Sequence, residues 1–268
     1  MRWLKALFAS LCAALLACGA AAQENAIEVD VELALLVDVS RSMRPNELDI
    51  QRRGYIEALK SPEVINAIGS GLLGRVAITY VEWSGFGSAD VLVEWTLIDS
   101  PEAAHAFADL LGNRHRGSGG RTSISNAIEI GAESIAENRF NGLRKIIDIS
   151  GDGPNNSGRY VDTARDKAMA AGIVINGLPL MTRDGLGTPW HLEDLDAYYR
   201  ACVIGGPGSF AMPVLDWAEF ALAVRRKIVL ELVDAGDAVW PAPPPAPSYD
   251  CQIGEKLWEE FRRSFELP

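Results

Sequence analysis

The chain has 268 residues, 48% hydrophobic and 23% charged, a globular composition that excludes a disordered or low-complexity protein. Its formal net charge is −11 and no block of Lys/Arg interrupts that balance. Such a surface repels phosphate backbones, which argues against a nucleic-acid partner, and the length admits one large domain or two small ones.

The first residues read as an address. Met1 to Lys5 carries two positive charges and no acid, an apolar run follows from Ala6 to Leu16, and small residues lead to Ala20-Ala21-Ala22. This is the pattern of a secretory signal peptide, residues 1–22, cut after Ala22, which places the mature chain in the periplasm or outside the cell. Leu15-Leu16-Ala17-Cys18 offers a second reading, a lipobox with an anchor on Cys18, although a bulky Leu before the small residue departs from that pattern. No segment reaches the length of apolar chain that a membrane span requires. Cys12 and Cys18 leave with the leader. Cys202 and Cys251 remain, either as a bridge suited to an oxidising compartment or as two separate thiols; their spacing does not decide.

From Ile27 to Val37 an alternating start passes into an unbroken apolar run that ends at Asp38, the pattern of a strand buried on both faces of a parallel sheet. Leu48, Tyr55, Ile56 and Leu59 recur at helical spacing behind Pro45. Arg75–Trp83 is a second strand, joined by a Gly-rich turn to an alternating strand over Val91–Leu97, so one edge of the sheet is expected to be antiparallel. Trp83 and Trp95, on these paired strands, read as packing residues. Ser100-Pro101 opens a helix, Ile124 to Ile135 marks another, Lys145–Ser150 is a strand, and Tyr160–Ala171 is a helix stopped by Gly172. Ile173–Leu178 is a strand, Leu192 to Tyr199 a helix, Phe210–Leu215 a last short strand, and Asp216 resembles the start of a capping box opening a long helix. The alternation predicts an α/β fold: a doubly wound, mostly parallel six-stranded sheet with one antiparallel edge strand and helices on both faces, spanning residues 29–233. A Pro-rich linker (241–247) and a short helix over Ile253–Phe265 follow within 234–268.

Ligands of such sheets sit beyond the carboxyl ends of the strands. Three polar junctions fall there: Asp38-Val39-Ser40-Arg41-Ser42, Gly119-Gly120-Arg121-Thr122-Ser123 and Ser150-Gly151-Asp152-Gly153. Asp38 and Asp152 bring carboxylates; Ser40, Ser42 and Thr122 bring hydroxyls; no Cys or His is near in the sequence. Oxygen donors with two carboxylates suit magnesium first, with manganese or calcium also acceptable, and disfavour zinc. Two carboxylates leave a divalent ion near neutral, still electrophilic enough to take a further carboxylate.

Asp38-x-Ser40-x-Ser42, Thr122 in a Gly-rich loop before a helix, and the later Gly151-Asp152-Gly153, in that order on an alternating fold, resemble the metal-ion-dependent adhesion site (MIDAS) of von Willebrand factor type A (vWA) domains. The resemblance spans about residues 29–233 and implies two direct serine ligands, with Thr122, Asp38 and Asp152 binding directly or through water. It also implies an open position filled by an Asp or Glu of a partner protein, hence a binding module and not an enzyme. Ser150-Gly151 before Asp152 departs from the family's usual β-branched or apolar residue and Thr. Asp-Gly-Pro-Asn-Asn (152–156) looks like a group of uncharacterised secreted bacterial members.

Other readings of these residues exist. Ser40, Ser42, Thr122 or Ser123 could each be a helix cap, and Asp38 or Asp152 a turn residue. Asp148, inside a strand, reads as a structural hydrogen-bonded acid, and His105, His115 and His191 as surface residues. Gly117–Gly120 lacks the Lys-Ser/Thr ending of a phosphate loop. Arg41 would lie beside the ion, to select an acidic partner or simply to be solvated. A magnesium-dependent phosphohydrolase is the alternative function, since an Asp-ended strand plus a later Asp also suits phosphoryl transfer; against it, Ser40 stands where enzymes of the haloacid dehalogenase type carry a second Asp, and Lys145 precedes its strand. No G-x-S-x-G elbow supports serine hydrolysis.

Overall fold

A computed structural model describes residues 26–112, 120–182, 192–233 and 249–265. The expected signal peptide, Cys18, His115, His191, Gly117–Gly119 and the Pro-rich linker lie outside the described residues.

In chain order the elements are β1 (Ile27–Asp38), α1 (Pro45–Leu59), α2 (Pro62–Gly69), β2 (Val76–Trp83), β3 (Ala89–Ile98), α3 (Pro101–Gly112), α4 (Ile124–Glu137), β4 (Phe140–Gly151), α5 (Val161–Ala170), β5 (Ile173–Pro179), α6 (Leu195–Tyr198), α7 (Phe220–Leu232) and α8 (Ile253–Phe265). A π-helical turn, Tyr199–Val203, extends α6, and a 3-10 turn, Trp217–Glu219, precedes α7. The sheet order is β3-β2-β1-β4-β5. β1 pairs parallel with β2 and β4, β4 parallel with β5, and β2 antiparallel with β3 at the edge.

β1 is central and its side chains divide by the two-residue period of a strand. Leu33, Leu35 and Val37 pack with Tyr55, Phe107, Phe220 and Ile228, from α1, α3 and α7. Ala34 and Leu36 pack with Ile124, Ile128 and Ala164, from α4 and α5. Helices therefore cover both faces, which explains why the strand is apolar without alternation. Each fully buried Leu or Ile in these layers contributes about 1.5–3 kcal/mol of transfer free energy. Gly54 lets α1 approach α7: a Cβ there would stand 2.5 Å from the Phe220 ring. Trp83 is buried in the second layer, and half-buried Trp95 donates its Nε1–H to Ser134 Oγ at 3.1 Å.

The expected sixth strand is corrected. Phe210–Leu215 runs beside β5 but makes only isolated parallel bridges, Gly177 with Ala211 and Leu180 with Val214, so the sheet has five strands among the described residues. Met212 N donates to Gly177 O and Val214 N to Pro179 O, both at 2.9 Å, but Pro179 on β5 has no N–H to return to Met212 O, which interrupts the ladder. Asp216 caps the following turn by accepting from Ala218 N–H at 2.9 Å, and Gly172, at φ 77°, ends α5. His105 is exposed on α3. No described helix is long and apolar enough to cross a membrane.

Candidate metal centre

The parallel register brings the ends of β1 and β4 together: Val37 pairs with Ser150, so Asp38 and Asp152 emerge at the same sheet edge. Four loops meet there and are tied through the backbone. Arg41 N donates to Gly120 O at 3.2 Å, Ser123 N to Ser84 O at 2.8 Å, and Asn156 N to Thr122 O at 2.9 Å.

Within this frame the side chains form a chain of oxygens. Asp38 Oδ1 accepts from Ser40 N–H at 2.7 Å, Ser40 Oγ and Ser42 Oγ are 3.1 Å apart, and Ser42 Oγ donates to Asp152 Oδ1 at 2.8 Å. Thr122 joins Ser42 and Asp152 in lining one cavity of about 590 Å³. Its N–H donates to Asn156 Oδ1 at 3.0 Å, which ties Thr122 to the loop after β4. All of Asp38, Ser40, Ser42, Thr122 and Asp152 thus gather at one edge. Of the helix-cap readings, the one for Ser123 holds, and neither α1 nor α4 is capped by Ser40, Ser42 or Thr122. Ser123 caps α4, accepting from Asn126 N–H, and α1 begins behind Arg44, whose N–H donates to Glu47 Oε2 at 2.7 Å.

Asp38 is fully buried, and its Oδ2 has no hydrogen-bond partner. Burial, then the nearby Asp152 carboxylate, holds its pKa well above the usual carboxylate range. The Tyr199 hydroxyl is likewise buried and unpartnered, and burial followed by the charge of Asp38 raises its pKa. A Cβ on Gly151 would stand 2.9 Å from both Asp38 Oδ2 and Tyr199 Oη, so only glycine leaves room where they converge. This accounts for Gly151 where the vWA pattern has Thr. An acceptor oxygen buried without a donor costs about 1–3 kcal/mol, more when charged, and a cation removes that cost. The donor set fits a hard divalent ion. Among the described residues no group of three or more His, Cys, Asp or Glu could hold a metal, so any site here rests on hydroxyls with two carboxylates.

Several supporting residues carried no motif. Gln51 Nε2 donates to the Asp38 carbonyl at 2.9 Å, Asn155 Oδ1 accepts from Ser125 N–H at 3.0 Å, and Tyr198 Oη accepts from Asn155 N–H at 3.1 Å. The consecutive Asn155-Asn156, outside any apolar period, was the available signal. Arg41 is exposed and lines the cavity. Asp148 plays the structural part expected of it: buried, it pairs with Lys227 at 2.7 Å. Lys145 sits midway along β4, away from the strand's carboxyl end.

Residues 28–236 match the family described as a protein of unknown function, DUF1194. The chain belongs to that family. No curated protein matches it. Among solved structures it is similar to proximal thread matrix protein 1 from the mussel byssus, 16% identical with a TM-score of 0.56 over 77% of this chain and 49% of that one. A second structure of that mussel protein, 14% identical with a TM-score of 0.52 over 76% and 48%, is described as having a zinc-occupied MIDAS motif. The pilus adhesin SpaC from Lactobacillus rhamnosus GG is 14% identical, with a TM-score of 0.55 over 78% and 31%. A von Willebrand factor type A protein from Catenulispora acidiphila is 17% identical, with a TM-score of 0.51 over 76% and 43%. The chain therefore spans less than half the length of each, and at these identities the likeness establishes the fold. This DUF1194 member has the vWA fold.

Proposed function

We propose that the protein is a secreted or periplasmic binding module in which Asp38, Ser40, Ser42, Thr122 and Asp152 hold a divalent cation that captures an Asp or Glu side chain of a partner protein. The observation that carries this reading is Asp38 Oδ2, a buried carboxylate oxygen with no donor, at the head of the hydroxyl chain that ends on Asp152. Magnesium is the expected ion, with manganese or calcium acceptable to the same oxygens. The zinc in the mussel protein's MIDAS supports a divalent cation in general. When bound, the ion supplies an electrophilic position for an incoming carboxylate. The chain's own residues fix the loops that carry the donors.

Adhesin and matrix proteins with the same fold support a protein partner. The Cys202–Cys251 disulfide supports an oxidising compartment, in line with cleavage after Ala22 or, as the second reading, an anchor on Cys18. The reading assigns no catalytic step. The phosphohydrolase alternative draws no support from Lys145, mid-strand, or from Lys227, buried on Asp148.

The test is calorimetric titration with magnesium and manganese of the wild type and the Asp38→Ala variant. Saturable binding by the wild type, lost in the variant, is the expected result. No binding at millimolar metal, or magnesium-dependent turnover of a phosphate ester lost in Asp38→Asn, would overturn it.

A further inference from the structure

Helix α8 lies beyond the family match, yet it packs against the candidate centre. Cys251, just before it, is bonded to Cys202 on the π-turn after α6. Tyr249 meets the edge of Tyr198 at 5.9 Å. Glu255 Oε1 accepts from Asn155 Nδ2 at 2.7 Å, and Gly254 faces the Asn155 carbonyl so closely that a Cβ would fall 2.0 Å from its oxygen. Asn155 follows Asp152-Gly153-Pro154, so α8 rests on the loop that carries Asp152.

This docking brings Trp258 and Phe261 to the wall of the cavity lined by Ser42, Thr122 and Asp152. Both rings are half-buried and keep a face on the cavity. Half-buried Trp217 lines the same space. Three cations, Arg41, Arg44 and Arg121, line the cavity against two acids, Glu47 and Asp152, in a protein whose net charge is −11. Arg121 stacks its guanidinium 4.8 Å from the Trp258 ring centroid, joining the cationic rim to the aromatic wall.

We propose that α8 makes this a two-part site for an acidic peptide segment: an Asp or Glu goes to the cation and the arginine rim, and a large apolar side chain of the same segment packs on Trp258 and Phe261. The proposal rests on the cation reading and adds the partner's chemistry. In an extended segment, side chains two residues apart point the same way, so the acid and the apolar residue fall within two positions of each other. The positive rim favours an anionic segment, and the aromatic wall separates this one from acids with polar neighbours.

A display library of random short peptides, panned on the purified protein in magnesium and again in chelator, tests this. The wild type in magnesium is expected to enrich Asp or Glu with an aromatic or large aliphatic residue within two positions, and to enrich neither in chelator. Trp258→Ala keeps its magnesium affinity but loses the apolar preference about tenfold, while Trp258→Phe retains it. Gly254→Ala, which displaces α8 without altering the rings, shows the same loss. Metal-dependent acidic enrichment with no apolar preference, or with one indifferent to both Trp258→Ala and Gly254→Ala, overturns the two-part site and leaves the cation reading standing. Absence of any metal-dependent acidic enrichment overturns the cation reading, and the two-part site with it.

Discussion

Ser42 Oγ donates to Asp152 Oδ1 at 2.8 Å across 110 residues of sequence. That bond fastens the loop after β4 to the loop after β1 and leaves the Asp152 charge acting on buried Asp38. Removing Asp152 should therefore have opposite effects with and without metal. In chelator, Asp152→Ala relieves the repulsion, and its melting temperature should equal or exceed that of the wild type. In magnesium at about 100 times the dissociation constant, the wild type should gain about 2.7 kcal/mol, whereas the variant should gain nothing. Thermal scans of both proteins in both buffers measure this; a variant that loses stability equally in chelator and in magnesium would show Asp152 to be structural only.

Gly151 offers a second probe of the same convergence. A methyl group there would press to 2.9 Å on both Asp38 Oδ2 and Tyr199 Oη, each held in a closed layer. Gly151→Ala should cost about 1–3 kcal/mol by overpacking and weaken magnesium binding together with stability. Chemical denaturation and calorimetric titration read the two effects. An unchanged metal affinity would mean that the carboxylate tolerates displacement.

The sequence makes the sheet legible where burial leaves one solution. β1 and β4 announce themselves because both faces are covered, and the polar residues that interrupt those runs, Asp38 and Gly151-Asp152, mark the strand ends where the site lies. Phe210–Leu215 has the composition of a strand, but Pro179 on β5 lacks the N–H that would reach Met212 O, and the contact stays bridge-only, which is a matter of backbone donors that an apolar count does not register. α2 does carry the helical spacing, Val64, Ala67 and Ile68 at i, i+3 and i+4 behind Ser61-Pro62, but over only eight residues. The amphipathic spacing of α8 is visible, but its landing place is not, because a linker carries no contacts from which to read a position. For the same reason the spacing of Cys202 and Cys251 could not reveal that their Cα atoms stand 5.4 Å apart.

That disulfide holds α8 in place, and its loss should be felt locally first. Closing a loop with a sequence separation of 49 residues contributes about 4 kcal/mol on the chain-entropy account. Cys251→Ser should release α8 from the Asn155 loop, so that amides over 253–265 lose protection in hydrogen exchange while β1 and β4 keep theirs. Uniform loss of protection across the sheet would mean instead that the bridge holds the whole domain together.

Lys227 on α7 is fully buried between two carboxylates, Asp148 on β4 and Glu231 on its own helix, with Asn176 on β5 donating to Glu231 and Tyr55 on α1 close enough to feel the charge. One cation cannot neutralise two buried anions. Burial, then the Asp148 charge, accordingly pushes Glu231 up to about 8, and Asp148 is also raised, chiefly by burial. A carboxyl raised in the folded state binds its proton more tightly there than in the unfolded chain, so its ionisation lowers stability as pH rises. The loss begins near the ordinary glutamate value of about 4.3 and is complete once pH passes the folded value. Wild-type stability should therefore fall between about pH 5 and pH 8 through this cluster. Glu231→Gln, which leaves a single Lys227–Asp148 pair, should flatten that slope and match or exceed the wild type at pH 8. Lys227→Met leaves Asp148 and Glu231 without their cation and should cost about 3–5 kcal/mol near neutral pH. Denaturant midpoints of the three proteins across that range decide the matter, and a Glu231→Gln variant with the wild-type slope would assign the pH dependence to other groups.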